Sequence, residues 1–372
     1  MVPMQRLGSG SVMRVVRIVG VLETGGAQLS ALRLSRALAG FGIDSSLLLA
    51  GDATAAGIGV ARRYGAAIEA FSPGEHRRLQ WTPDDAFVDW LRPRLAGADL
   101  VHAHMFGAWW AAAAALQDSG TPLVASEHNV MTWPHGDHSA AAKTAAPQLA
   151  AFFAHGPAAR AFATTLGLDP RLVHEGRSAV EGLDATPLPD LGTPRLTFTG
   201  RFREDKGPDV LVEALALLAD DLGELPYCYL VGDGPMRAWL QRRTHELGLA
   251  ERVRFPGWTY QPARYVAGAA VHVVPSREEA WSQSAVVAMG LGVPVVGTAV
   301  EGLPLTLGEC RGLLVAPEDP RTLAAGIAAI LRGEQRTDLD GGRAYAGRFE
   351  AGLVAERYAA VYRRLIHARR LG

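Results

Sequence analysis

Two charged turns and one helix start carry most of the chemistry that can be read from this chain. The first turn is G-R-F-R-E-D-K-G at residues 200–207, where Arg201 and Lys206 lie between an expected strand and a helix opened by Pro208. Proline suits the first helical position because the N–H it lacks has no intrahelical partner there. Two cations meeting a helix N-terminus can clamp a diphosphate, since guanidinium and ammonium make charge-assisted hydrogen bonds and the helix end favours an anion. Alone, such a loop reads as a solvated basic turn. Its partner in the same half of the chain changes that reading. Residues 275–297, P-S-R-E-E-A-W-S-Q-S-A-V-V-A-M-G-L-G-V-P-V-V-G, follow an apolar strand at 270–274. They turn through Glu278 and Glu279 and enter a short helix at 282–291 with Ser282 as N-cap. Gly292 and Pro294 stop that helix before the next buried strand at 293–296. The turn therefore falls at the carboxyl end of its strand, where open parallel sheets bind ligands. Amides of Gln283 and Ser284 would favour an anion there and Glu279 would favour hydroxyl groups, a combination suited to a sugar phosphate.

The elements that must position these turns alternate short apolar strands with helical stretches, the pattern of an α/β fold with parallel sheets. Strands are expected at 14–20, 45–50, 99–104, 122–127, 151–155 and 171–174, then at 195–199, 226–231, 253–255, 270–274 and 293–296. A chain of 372 residues exceeds one ordinary core, so two domains are expected. Residues 186–194, T-P-L-P-D-L-G-T-P, carry three prolines in nine residues and read as the interdomain linker. The expected organisation is a disordered tail at 1–12, a Rossmann-like domain at 13–188, a second at 189–350, and a final helix at 351–372 crossing back to the first domain. The two domains are expected to face each other across a cleft.

Composition excludes several classes. Lys and Arg number 37 against 38 Asp and Glu, for a net charge of −1, which disfavours a nucleic-acid partner. Only Cys228 and Cys310 are present, which argues against a disulfide scaffold or structural zinc and fits a reducing cytoplasm. Residues 1–12 contain no apolar run of signal-peptide length. The longest apolar stretch, 284–300, is broken by Gly290, Gly292, Pro294 and Gly297, so no membrane span is expected.

At this point a family pattern is complete. The C-terminal half resembles the family 4 retaining glycosyltransferases of GT-B architecture through G-R-F-x-x-x-K-G at 200–207, V-G-D-G-P at 231–235, F-P-G at 255–257, P-S-x-x-E at 275–279, G-x-P-V-V at 292–296 and G-L-L-V-A-P-E-D-P at 312–320. The N-terminal half adds G-G-A-Q at 25–28, D-L-V-H-A-H at 99–104 and P-L-V-A-S-E-H at 122–128. The resemblance implies that Arg201 and Lys206 bind the donor diphosphate, that Glu279 meets the sugar hydroxyls, and that His128 lies near the transferred sugar. It implies that Gly25 and Gly26 let backbone approach the phosphates or sugar. The rest of the donor site is assigned to Gly232, Phe255, Gly257, Trp281, Ser282, Gln283, Ser284 and Val287. The implied reaction moves a sugar from a nucleotide-diphosphate sugar, with UDP as nucleotide, to a hydroxyl of a polar small-molecule or glycan acceptor, retaining configuration. No metal or other cofactor is expected, and neither nucleic acid nor membrane is an expected partner. The enzyme is expected to be bacterial and cytoplasmic.

Three departures from the family stand out. Val287 occupies the position of a second glutamate that binds the ribose diol, E-G-L-P-L at 301–305 replaces a pair of glycines with a trailing Glu, and 174–184 is longer than the usual turn. The first two keep a degenerate nucleotide-sugar-binding protein open as an alternative, and the shared architecture keeps a sugar-nucleotide epimerase open as a lesser one. Among other candidates, His102 and His104 flank Ala103 on an expected strand and are assigned to opposite faces, as core or hydrogen-bonded residues. His135 and His138 share a loop at 131–138, Trp109 and Trp110 read as helix packing, Asp338 and Asp340 as surface, and Cys228 as inert core.

Overall fold

A computed structural model describes residues 12–73, 84–128 and 138–371. The expected tail at 1–12, apart from the exposed Val12, lies outside these residues, as do Trp81, His135 and the loop at 131–137. The chain divides into two compact units, one comprising residues 1–179 and 351–372 and the other residues 180–350.

The first unit is built on strands β1 (Met13–Leu22), β2 (Ile43–Asp44), β3 (Leu47–Ala53), β4 (Ala67–Pro73), β5 (Leu100–His104), β6 (Leu123–Glu127), β7 (Leu149–Ala154) and β8 (Val173–Glu175). They form one parallel sheet ordered β4-β3-β1-β5-β6-β7-β8, with β2 against β1. β1 is an almost unbroken buried run, as expected for a strand covered on both faces. One face packs on helix Phe106–Ala115, where Phe106 and Trp109 are fully buried. The other packs on helices Gly26–Leu38 and Ala351–Leu371, the latter contributing Val354, Ala355, Tyr358, Ala359 and Tyr362 to the core. The final helix is thus part of this unit, stacking Tyr358 on Phe153 at 4.0 Å between ring centres.

The second unit contains β9 (Arg195–Thr199), β10 (Tyr227–Val231), β11 (Val253–Gly257), β12 (Val271–Val274), β13 (Val295–Thr298) and β14 (Leu313–Val315), all parallel and ordered β11-β10-β9-β12-β13-β14. Counted within the unit this is the doubly wound order, which reverses between β9 and β12. Helices Pro208–Leu222 and Pro320–Leu331 cover one face through Val210, Leu211, Leu215, Leu323 and Ile327.

Two expectations need correction. Residues 186–194 are not the linker. They lie inside the second unit, where the Leu188 amide donates to the Arg264 carbonyl at 3.2 Å and the Gly192 amide to the Tyr229 hydroxyl at 2.9 Å. A proline cluster marks a chain that cannot join a sheet, and here that chain is a fastened surface loop. The passage between units falls at Ala179–Val180, within the 174–184 run that is longer than the family's turn. Val180 bridges to Glu350, the last residue of the second unit. The second correction concerns His102 and His104. Side chains alternate along a strand, so residues two apart share a face. Their rings stack at 4.3 Å.

Candidate functional site

In the second unit, the turns after β9 and β12 stand side by side at the point where strand order reverses, the usual ligand position in such sheets. Gly207 ends the first turn in a left-handed conformation (φ 61°), and a Cβ there would lie 2.0 Å from the Pro275 carbonyl oxygen. Only glycine permits that approach. Further bonds stitch the turns together. The amides of Arg277 and Glu278 donate to the Asp205 carbonyl at 2.9 and 3.1 Å. Arg277 grips Asp209, in the first turn of helix Pro208–Leu222, with bonds of 2.9 and 2.7 Å. That pairing, together with two backbone amides, holds the Asp209 carboxyl below its ordinary range, although burial opposes it.

Lys206 sits at the centre. Its Nζ donates to the Glu279 carboxylate at 3.0 Å and to the Glu278 carbonyl at 3.1 Å, with the Asp205 carboxylate at 3.8 Å. Arg201 reaches the same Asp205 at 3.7 Å, so both cations meet around one carboxylate. Helix Gln283–Gly290 starts beside them, capped by the Ser282 hydroxyl, which accepts from the Ala285 amide at 3.3 Å. Gln283 and Ser284 occupy its first turn, where amides have no intrahelical acceptor. The Ser284 hydroxyl lies 3.2 Å from that of Ser282. Gly232 follows β10, and a Cβ on it would lie 1.8 Å from the Gly200 carbonyl oxygen, so the V-G-D-G-P turn presses directly on the clamp turn. Arg237 donates to the Phe255 carbonyl at 2.9 Å and the Gly232 carbonyl at 3.4 Å, fixing both to the Gly257 turn. Phe255 meets the buried Phe202 edge-on. Trp281 lies against Phe349 at 4.7 Å, and Val287 is half-buried in the same apolar cluster.

Glu301 was not singled out by sequence. Its carboxylate accepts the Glu279 amide at 2.8 Å, and its own φ of 43° is one that glycine adopts without strain. Burial raises its pKa, and the carboxylates of Glu278 and Glu279 add to this while the Glu279 amide opposes it. The signal was the replaced glycine pair itself. A side chain standing where a family keeps glycine must either strain the backbone or contact something.

In the first unit, Gly25 caps helix Gly26–Leu38 just beyond β1, with Gln28 donating to the Val21 carbonyl at 3.0 Å. His128 follows β6 directly and is half-buried at the edge of a polar cluster whose members Arg17, His102, His104 and His155 are buried. Arg17 is fully buried in β1, beside His102 in register. Its Nη1 lies 3.1 Å from His102 Nδ1 and 3.1 Å from His104 Nε2, while its Nη2 donates to the Tyr362 hydroxyl at 3.3 Å. His104 Nδ1 lies 3.2 Å from His128 Nε2, and the His128 ring lies 3.8 Å from that of His155, tilted by 30°. Burial drives all four histidines toward the neutral form, His128 to a pKa of about 4 and the others well below the ordinary value. Two signals for this cluster were present in sequence: an arginine inside the apolar run V-V-R-I-V, and His155 just after strand β7, as His128 is just after β6.

Remaining candidates resolve simply. Trp109 is fully buried and donates to Glu127 at 3.2 Å, and Trp110 packs against the same core. Asp338 caps helix Leu339–Gly347, and Asp340 pairs with Arg343 at 2.9 Å. Cys228 is buried, which pushes its thiol pKa up. Among the described residues, no group of three or more His, Cys, Asp or Glu is placed to hold a metal ion, and no helix is long and apolar enough to cross a membrane.

Two parallel-sheet α/β units, one with paired cationic and acidic turns at its switch point, define the GT-B class of glycosyltransferases. Comparison with known proteins agrees. Residues 193–333 match the model of glycosyl transferases group 1, and residues 24–176 match that of glycosyltransferase family 4. The D-inositol 3-phosphate glycosyltransferase of Thermomonospora curvata is 34% identical over 311 residues, covering 77% of this chain and 70% of that protein. The 2-deoxystreptamine glucosyltransferase of Streptomyces kanamyceticus is 34% identical over 168 residues, covering 44% and 43% of the two chains. Anabaena HepE in complex with UDP has the same fold, with a TM-score of 0.75 at 19% identity over 94% of this chain and 99% of that one. This chain belongs to the family 4 glycosyltransferases.

Proposed function

We propose that this enzyme transfers a sugar from a UDP-sugar to a hydroxyl of a small polar acceptor, a cyclitol or aminocyclitol, with retention of configuration and without a metal ion. The observation that carries the donor assignment is the meeting of Arg201, Lys206 and the start of helix Gln283–Gly290 at the switch point of the second unit. As the glycosidic bond breaks, charge develops on the departing diphosphate. Once the donor is bound, two cations and a helix N-terminus beside the diphosphate lower the barrier without further reorganisation as the bond breaks. Before the donor arrives Lys206 is held by Glu279. The diphosphate takes over the ammonium and leaves the Glu279 carboxylate to accept sugar hydroxyls. Retention follows from front-face attack in which the leaving phosphate takes the acceptor's proton, so no carboxylate base is assigned.

Support for the nucleotide is the fold shared with HepE, which binds UDP. Support for the acceptor comes from relatives named for inositol 3-phosphate and 2-deoxystreptamine, both polyhydroxylated six-membered rings. A thermal-shift screen across UDP, GDP and ADP, each alone and as its glucose or N-acetylglucosamine conjugate, tests the donor. Only a ligand that binds the folded state raises the melting temperature. UDP compounds are expected to shift it most, and a preference for GDP or ADP would overturn the assignment. Transfer to inositol phosphates and aminocyclitols is then measured with excess chelator. Persistence of turnover supports the metal-free clamp, and loss that Mg²⁺ or Mn²⁺ restores would refute it.

A further inference from the structure

The polar cluster of the first unit fixes more than the position of His128. Arginine carries donors only, so any nitrogen that hydrogen-bonds to it must accept. His104 Nε2, 3.1 Å from Arg17 Nη1, is therefore unprotonated. A neutral imidazole then carries its hydrogen on Nδ1, and His104 Nδ1 is 3.2 Å from His128 Nε2. His104 donates and His128 Nε2 accepts. The remaining nitrogen of His128, Nδ1, must carry its hydrogen. The second hydrogen of Arg17 Nη1 acts the same way on His102, whose Nδ1 lies at 3.1 Å and also 2.6 Å from the Tyr362 hydroxyl. That leaves His102 Nε2–H to donate to the Ser126 hydroxyl at 2.8 Å. This assignment of hydrogens satisfies the run from Arg17 through His104 to His128, and reversing either His104 or His128 leaves two hydrogens or two lone pairs facing each other.

We propose that Arg17 and His104 are positioning residues that lock His128 in the neutral Nδ1–H tautomer, so that His128 offers its ligand a hydrogen-bond donor and not an acceptor. The ligand group that fits is a hydroxyl or phosphate oxygen, and a sugar hydroxyl on the functional reading above, on which this step rests. Among the described residues, the groups that face His128 are His104 and His155, with Tyr358 bonded to His155 at 3.3 Å and Arg17 one ring further in. None of these supplies a negative charge that would favour imidazolium. His128 therefore serves as a donor of fixed direction and not as a general acid or base.

The wild-type protein tests this directly. In long-range ¹H–¹⁵N spectra of protein labelled at histidine, with His128 assigned by the signal lost in His128→Asn, Nδ1 should show the shift of a protonated nitrogen and Nε2 that of an unprotonated one at neutral pH. A protonated Nε2 would overturn the relay. His104→Phe keeps a ring in the stack and removes the donor, and the tautomer should relax toward Nε2–H. An unchanged tautomer in that variant would also overturn it. Arg17→Met carries a risk of misfolding, which is why the wild-type spectrum is decisive. Kinetics add a readout that mere structural support would not move. Asparagine can place an N–H near Nδ1 and glutamine one near Nε2. His128→Asn should keep kcat/KM above that of His128→Gln by roughly three- to ten-fold, the value of one hydrogen bond. The reverse order would refute donation from Nδ1. Transfer unaffected by His128→Ala would refute the sugar contact while leaving the tautomer intact, so the two readings fail separately.

Discussion

The two units share a scaffold and build their polar sites in opposite ways. The first gathers side chains, all buried but the half-buried His128: one guanidinium, four imidazoles and two phenols drawn from β1, β5, the ends of β6 and β7, and the final helix. The second exposes turns in which glycines let backbone touch backbone, and two cations, several carboxylates and a helix start share a small space. Burial makes the first cluster costly to ionise. Exposure makes the second responsive to a charged ligand and to salt. The difference predicts which half fails under which insult.

Acid should open the first unit before the second, the largest effect expected here. His128 titrates near a pKa of about 4 when folded, and His102, His104 and His155 lie well below the ordinary value, while all four regain a pKa of about 6.5 when unfolded. Below that value the unfolded chain binds more protons than the folded one. Stability is complete above about pH 6.5 and falls as pH drops toward about 4, by up to about 1.4 kcal/mol per pH unit for each histidine. In the second unit His272, buried, is the only histidine among the described residues with a pKa lowered in this way, to about 3. Hydrogen exchange at about pH 7.5 and about pH 5.5, corrected for intrinsic rates, should show protection lost first from β1, β5, β6, β7 and the final helix. Earlier loss from β9 to β13 would break the comparison.

The same contrast explains what was legible in the sequence. Turn 200–207 and turn 275–282 are each one short run, so strand, turn, cap and helix could be read locally. Their meeting followed from the rule that ligands sit at the strand ends of a parallel sheet. Ser282 as N-cap and Pro208 at the helix start needed nothing from the rest of the chain. The histidine cluster is made by partners far apart in sequence, Arg17 with His102 and Tyr362 with Arg17, and no local pattern pairs them. The proline-rich loop misled for the reverse reason. Its composition is local, but whether it joins two units or lies on one depends on Arg264 and Tyr229, which bind it from elsewhere.

The clamp sharpens the comparison by a smaller but specific effect. Arg201→Ala or Lys206→Ala should each weaken UDP-sugar binding by roughly ten- to a hundred-fold, the loss of one charge-assisted hydrogen bond worth about 1.5–3 kcal/mol. Lys206→Ala should be the worse of the two, because it also leaves Glu279 without the ammonium that now holds it. The deficit should shrink as salt rises, since the clamp is partly exposed. Neither variant should alter the acid response of the first unit. Titration calorimetry giving wild-type affinity in both would remove the clamp from the donor site.

The smallest effect concerns the ribose, at the position where this chain departs most plainly from its family. Val287 cannot accept a hydrogen bond, and its half-buried side chain packs in the apolar cluster of helix Gln283–Gly290 with Trp281 and Leu183. A diol placed against it would lose partners it had in water. Gln283 is four residues earlier on the same helix and therefore on the same face, and its amide can both donate and accept. Ser284 is three residues earlier, but its side chain is shorter than that of Gln283. We propose that Gln283 takes the diol, shifted one turn toward the helix start. Gln283→Ala should then weaken UDP by roughly three- to ten-fold, one neutral hydrogen bond, and weaken 2′-deoxy-UDP by less. Val287→Glu should tighten UDP selectively where the new carboxylate reaches the diol, and should destabilise the unit where it is driven into the apolar cluster instead. Melting temperature measured beside affinity separates these outcomes. Equal losses for UDP and its deoxy analogue in Gln283→Ala would sink the compensation. The ribose would then be held by backbone or water, and this exposed site would depend on side chains even less than its contrast with the buried cluster suggests.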